Sequence, residues 1–239
     1  MIIKDRTCGV YEKYIKRPLD VILASVTLIV VSPVLGIIAI MVKIQLGSPV
    51  IFKQPRPGIV DPRTGKEKIF YLYKFRSMTN KKDSKGELLP DSERLTKFGK
   101  ILRSTSLDEL PELINIIKGD MSIIGPRPQL VRDMVFMTKE QRKRHRVRPG
   151  LSGLSQVRGR NTISWESKLN TDLEYIDKIT FWSDLKIVFQ TFIKIFTCEG
   201  ITEQGMATAT DYGDYLLAEG KIDRDTYWKK QKEAKEILR

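Results

Sequence analysis

Histidine is nearly missing from this chain of 239 residues: His145 is the only one. It sits in the run Arg142-Lys143-Arg144-His145-Arg146 and reads as solvated charge. A Ser-His-Asp triad would have to use it, and nothing around it resembles one. A lone histidine also excludes an HExxH zinc motif. Cysteine is almost as scarce. Cys8 and Cys198 lie far apart and match no metal-ligand spacing, so free thiols in a reducing compartment are expected. There is no P-loop and no GxGxxG after a strand. No internal repeat or low-complexity tract is visible. Acids are outnumbered, 29 against 42 basic residues, leaving a net charge of +13. That excess points to an anionic partner: nucleic acid, an anionic membrane surface or a phosphorylated substrate. Length suits one main domain with an appendage, and a hydrophobic content of 41% is enough to build its core.

Charge is wholly absent from Val21 to Val42, a run of 22 residues, long enough to cross a bilayer as a helix. Ser32-Pro33 lies in its middle. Proline removes one helical hydrogen bond, and the neighbouring hydroxyl can satisfy a freed backbone group. Two courses are open to such a segment: a kinked single span, or a helix that breaks at mid-depth and leaves by the face it entered. Basic residues flank both ends, Lys13, Lys16 and Arg17 before and Lys43, Lys53 and Arg56 after. The positive-inside rule is best met if both ends are cytoplasmic.

Beyond this segment, Gly47 to Gly58 reads as a proline-rich exit loop, with Arg56 either solvated or serving a phosphate. Val50–Phe52 and Ile69–Lys74 are expected to form a short β-hairpin. Lys74 and Arg76, two apart, share one strand face. Thr79 to Ser92 reads as a loop and Leu95 to Leu102 as a helix carrying Arg103. Val131 to Val147 reads as one very basic helix facing solvent or headgroups. The Gly/Ser loop from Arg148 leads to Arg158-Gly159-Arg160-Asn161, and a helix over Trp165 to Ile179 carries Asp172. Phe181 to Phe196 is amphipathic and aromatic, fit for a membrane interface or for a core. Composition shifts at Gly200 to a polar tail with a final helix over Arg224 to Arg239.

The centre of the chain is Ser104 to Pro128. Ser106 is expected to cap a helix, with Glu109 completing a capping box and Asp108-Glu109 in the first turn. Acids there are ordinary, since they favour the helix dipole. They also suit binding a divalent metal or making a nucleophilic attack. About eighteen residues on, Gly125-Pro126-Arg127-Pro128 forms a rigid turn presenting one guanidinium.

Six elements in order carry a resemblance. They are Lys16-Arg17-Pro18-Leu19-Asp20 before the proline-bearing apolar helix, Lys74-Phe75-Arg76-Ser77-Met78, Arg103 to Leu113, Gly119-Asp120-Met121-Ser122, Gly125-Pro126-Arg127-Pro128, and Arg148-Pro149-Gly150-Leu151-Ser152-Gly153. From about residue 13 to 197 the chain resembles the bacterial sugar transferases, the monotopic phosphoglycosyl transferases. The resemblance implies transfer of a sugar 1-phosphate from a UDP-sugar to polyprenol (undecaprenyl) phosphate, releasing UMP, with magnesium required. It implies Asp108 as the nucleophile bearing a phosphosugar, and Glu109 as its partner in handling metal and phosphate. It places substrate-binding roles on Lys74, Arg103, Arg127, Arg160 and Asp172, and a re-entrant break at Ser32-Pro33. The expected fold is α+β and mostly helical. A re-entrant membrane hairpin in 1–46 precedes a small cytosolic catalytic domain in 47–200, with a short β-hairpin and an amphipathic interfacial helix. An appendage occupies 201–239. The expected setting is the bacterial inner membrane with the catalytic domain on its cytoplasmic face, without nucleic acid, and with a homo-oligomer allowed. The alternative from a different class is a membrane-anchored basic binding protein without catalysis, whose mark would be salt-sensitive nucleic-acid or lipid binding.

Overall fold

The computed structural model describes residues 8–159, 163–197 and 210–239. After a π-helical turn over Tyr11–Ile15 comes α1, Lys16–Leu46, one helix of 31 residues that runs through Ser32-Pro33 without interruption. Pro33 cannot donate to Ile29; the Ser32 hydroxyl donates to the Ile29 carbonyl instead, at 2.8 Å. The serine thus repairs the bond the proline removes. The expected hairpin break is not seen as a gap in the helix.

One face of α1 is covered. Ala24, Leu28 and Val31 pack with Phe70, Leu72, Leu113, Ile116 and Met121. Further along, Leu35, Ile38 and Val42 pack with Phe75, Leu102 and Leu110. These α1 residues alternate four and three apart, the spacing of one helical stripe. Around the rest of the cylinder Ile22, Val26, Ile29, Val30, Ile37 and Ile40 are exposed.

The hairpin of β1 (Ile51–Val60) and β2 (Glu67–Phe75) is antiparallel, and longer than the sequence suggests. Pro55 and Pro57 lie inside β1, opposite Tyr71 and Ile69. Alternate residues turn their N–H groups to the same edge of a strand, so both prolines can face the unpaired edge. Next come α2 (Asp91–Arg94), α3 (Lys97–Ser104), a 3-10 turn (Leu107–Glu109) and α4 (Glu112–Lys118). β3 (Ser122–Ile124) and β4 (Gly150–Ser152) form a short parallel pair. A Cβ on Gly150 would lie 2.1 Å from the Gly125 nitrogen, so the two glycine-bearing motifs touch backbone to backbone.

Between β3 and β4 the expected basic helix is replaced by two short pieces, α5 (Val131–Met134) and a 3-10 segment (Gln141–Arg146). Arg144 and His145 are buried there rather than solvated. Carboxylates from distant parts of the chain draw them inward: Asp172 bonds Arg144, and Glu67 bonds Arg142 and His145. The remaining helices are α6 (Leu154–Arg158), α7 (Trp165–Asp177), α8 (Phe181–Thr197), α9 (Tyr212–Ala218) and α10 (Arg224–Ile237). α8 packs one side into the core and leaves an apolar stripe uncovered. Ile187 enters the core with Tyr175 and Ile176, while Trp182, Leu185, Phe189 and Phe192 stay exposed along one stripe. The tail docks on the body: Ala234 packs on Val131 and Met134, and Tyr212 and Leu216 pack on Trp165 and Leu169.

Candidate active site

Three pieces of chain meet at Glu109. The β2 strand brings Lys74, whose Nζ lies 2.6 Å from Glu109 Oε1 and 3.1 Å from Glu112 Oε1. The turn after β3 brings Arg127, whose Nη2 donates to the same Glu109 Oε1 at 2.9 Å. The 3-10 turn carries Asp108 beside them, 7% exposed.

The local backbone differs from the expected helix start. Ser106 has φ 56°, in the left-handed region, and its side chain caps nothing. Its N–H donates to the Arg103 carbonyl, so it ends α3 rather than opening the next helix. Asp108 and Glu109 therefore sit in a single 3-10 turn, where a helix dipole contributes little. Their charge is balanced by side chains instead.

Those side chains set distinct ionisation states. Burial alone would push the Glu109 carboxyl up, but Lys74 and Arg127 outweigh it and hold it well below the usual carboxylate range. Asp108 goes the other way, pushed up to about 6 by burial and by the neighbouring Glu109 charge, against the pull of Lys74, Arg103 and Arg127. Glu112 is pushed up to about 7, again by burial first, with Lys74 opposing and Glu109 adding. Burial works against the Lys74 ammonium, yet Glu109 and Glu112 raise its pKa above the ordinary value. Arg127 is held charged chiefly by Glu109.

The next layer fixes these groups. Asn115, fully buried in α4, accepts from the Tyr73 N–H at 3.0 Å and donates to the Tyr71 carbonyl at 2.8 Å. It thereby sets the height of Lys74 against Glu109 and Glu112. Arg56 is not a solvated surface residue: it donates to the Pro128 carbonyl at 2.9 Å and to Gln54. Burial and nearby Arg127 lower its pKa to about 10. Arg144 donates to the Arg127 carbonyl at 2.6 Å and to Asp172 at 2.6 Å. The turn holding Arg127 is thus gripped from both sides.

Of the residues expected from sequence, Lys74, Asp108, Glu109 and Arg127 come together. Arg103 stands close enough for its charge to act on Asp108, and its Nε donates to Ser77 at 3.0 Å. Asp172 is 1% exposed, with its oxygens engaged by Arg144 and Ser155, so it reaches the site only through Arg144. Arg160 lies outside the described residues. Sequence reasoning gave no role to Glu112, Asn115 or Arg144. The one signal was Asn115, a polar residue between apolar neighbours in Leu113-Ile114-Asn115-Ile116-Ile117.

Among the described residues, no group of three His, Cys, Asp or Glu side chains is arranged to hold a metal. A magnesium ion shared with diphosphate oxygens needs only one or two carboxylates. Asp108 and Glu109 fit that lesser demand, since the contacts from Lys74 and Arg127 both fall on Oε1 of Glu109.

A family model for bacterial sugar transferases matches residues 11–198. An uncharacterized sugar transferase of Bacillus subtilis strain 168, EpsL, is 45% identical over 195 residues, covering 82% of this chain and 94% of that protein. The UDP-glucose:undecaprenyl-phosphate glucose-1-phosphate transferase of Escherichia coli K12 is 40% identical over 195 residues, covering 77% of this chain but 41% of that protein. A UDP-N-acetylgalactosamine-undecaprenyl-phosphate N-acetylgalactosaminephosphotransferase of Aeromonas hydrophila is 35% identical, covering 77% of this chain and 44% of its own length. The chain thus spans nearly all of one relative and less than half of the other two. The match covers the apolar helix, the hairpin and every residue of the cluster around Glu109: the chain belongs to the bacterial sugar transferase family.

Proposed function

We propose that this protein transfers a sugar 1-phosphate from a UDP-sugar to polyprenol phosphate through a phosphosugar bonded to Asp108. The observation that carries this reading is a buried carboxyl, Asp108, beside a second carboxylate that Lys74 and Arg127 already neutralise. A diphosphate repels an approaching carboxylate. Arginine forks on its oxygens reduce that repulsion and favour the charge that builds up at phosphorus.

In the first step an Asp108 oxygen bonds to the β-phosphorus. The bond from that phosphorus to the bridging oxygen breaks, and UMP leaves with the electron pair. In the second step an oxygen of the lipid phosphate attacks the same phosphorus. The acyl phosphate bond breaks, the Asp108 carboxylate is restored and polyprenol diphosphate sugar departs. Two displacements at one atom predict ping-pong kinetics. Lys74 neutralises Glu109 and Glu112 beside the nucleophile, and Arg103 and Arg127 receive the phosphate oxygens. A magnesium ion on Asp108 and Glu109 would add neutralising charge on the diphosphate when bound.

The acceptor has its tail in a bilayer, so the site must sit at headgroup height. The exposed apolar faces of α1 and α8 support membrane association, because so much apolar surface is unusual on a soluble monomer. α1 touches the catalytic body near both its ends, through Arg17 at one and Val42 at the other. That favours a re-entrant course, with both ends on the cytoplasmic face. The relatives' names specify glucose in one case and N-acetylgalactosamine in another. The sugar is therefore identified by assaying UMP release with a panel of UDP-sugars.

Asp108→Asn in lipid particles is expected to abolish UMP release, and wild type given UDP-sugar alone to yield a phosphosugar on the peptide containing Asp108. Undiminished turnover by Asp108→Asn would remove the nucleophile from this scheme.

A further inference from the structure

A cavity of about 100 Å³ lies between the start of α1, β3 and residues 146–148, and none of its lining residues belongs to the Asp108 cluster. Four cationic side chains line it, Lys16, Arg17, Arg146 and Arg148, together with the acids Glu12 and Asp20.

Two of these guanidiniums are fixed by neutral groups. Arg17 donates to the Ile116 carbonyl at 2.8 Å and to the Ile117 carbonyl at 3.2 Å. Arg148 donates to the Gly119 carbonyl at 2.9 Å. Carbonyl oxygens hold a guanidinium in place without cancelling its charge. Of the other groups, Lys16 is ion-paired with Asp184. Asp20 accepts from the Ser122 hydroxyl and from the Ile123 N–H. Arg146, half-buried, has no hydrogen-bond or ion-pair partner among the described residues. The four cations face three acids, the two in the lining and Asp184 behind Lys16; Asp120, which also acts on Arg17, is paired with Lys118, so one positive charge is left over.

Size and position narrow the ligand. A water occupies roughly 30 Å³ of liquid, so the cavity admits a group several times larger. Guanidiniums fixed in place and one still unengaged suit the oxygens of a phosphate, which arginine forks match better than lysine does. Arg17 stands four residues before the uncharged run that opens at Val21, at the level where a membrane surface would begin.

We infer that this cavity is a second anion site, which binds a phosphate group, carried by a membrane lipid or free in solution, with Arg146 as the residue that closes on it. The site stands independently of the transferase reading.

The test uses the full chain purified in detergent. It is titrated calorimetrically with inorganic phosphate and, in a second arm, with dihexanoyl phosphatidylglycerol below its micelle concentration. Arg146→Ala and Arg146→Lys are run beside wild type, with circular dichroism to confirm that each is folded. The expected result is binding by wild type that Arg146→Ala weakens about tenfold, the loss of one charge-assisted contact, and that Arg146→Lys largely retains. Such a loss in the lipid arm alone identifies a headgroup, and in the phosphate arm a free ion; both support the site. Absence of binding in both arms overturns it. So does a binding isotherm that Arg146→Ala leaves unchanged, since the ion then sits elsewhere, as on the arginines near Asp108.

Discussion

Asp172 and Arg144 are each 1% exposed and face one another, so neither charge has water to fall back on. Removing one partner of such a pair costs about 3–5 kcal/mol, because the other charge is left buried alone. Asp172→Asn is therefore expected to lower stability by about that amount, read from the denaturant midpoint. Arg144 also holds the Arg127 carbonyl, so UMP release should fall at temperatures where the variant is folded. His145 offers a second measurement. Its Nδ1 lies 3.1 Å from Glu67 Oε1, while burial pulls its pKa from 6.5 down to about 4. The unfolded chain takes up the proton first, so this histidine's contribution is complete above pH 6.5 and declines as pH falls toward 4. The slope contributed in that window is about 1.4 kcal/mol per pH unit. Denaturation curves at several pH values should show it, and His145→Gln should flatten it. A slope unchanged by that substitution would mean His145 is already charged in the folded protein. Spacing alone left Lys74, Asp108, Glu109 and Arg127 as ordinary strand, helix-start and turn residues; the family resemblance made them legible as a site, because the motifs that carry it are local. Arg144 and His145 were misread as solvated, since the carboxylates that bury them, Asp172 and Glu67, lie 28 and 78 residues away.

Elements meet at this site through a few polar side chains that tie them together. Asn115 is the clearest, joining α4 to two backbone groups of β2. Asn115→Leu nearly conserves volume but leaves the Tyr73 N–H and the Tyr71 carbonyl without their partner. Each unsatisfied buried group costs about 1–3 kcal/mol. A loss of about 2–5 kcal/mol is expected, with faster hydrogen exchange concentrated in β2. Exchange that rose evenly across the molecule would show that Asn115 supports general stability and not this junction. The hairpin and most helices could be read from alternation and periodicity. The helix break after α3 could not. Ser106 has the composition of a cap but adopts φ 56° because the chain must reverse there to bring Asp108 back against β2. Likewise Val131 to Val147 has helical composition, yet salt bridges across the fold override it.

At the scale of the whole molecule, the course of α1 decides how the enzyme would meet the proposed lipid acceptor. Its 31 residues extend about 46 Å as a helix, more than the roughly 30 Å of a hydrocarbon core. The sequence made the length and the missing charge plain. It could not indicate which side packs inward, because apolar residues surround the helix on every side. The covered stripe from Ala24 to Val42 supplies that direction. Were α1 to cross the bilayer upright, the β1–β2 hairpin and α4 packed along it would be drawn into hydrocarbon. Lys74, Glu109 and Glu112 would go with them, at a cost of several kcal/mol for each buried charge. A helix lying or dipping on one face avoids this. Its exposed residues, Ile29 at 73% and Val30 at 70%, are then left to the lipid. Labelling discriminates between the two. Cys8 is exposed just before α1, and Gln45 is exposed near its end. With Cys198 replaced by serine, wild-type Cys8 and a Cys8→Ser/Gln45→Cys variant are treated with a membrane-impermeant maleimide in inside-out and right-side-out vesicles. Both thiols are expected to react in inside-out vesicles only. Reaction from opposite faces would establish a span and require the catalytic body to separate from half of α1.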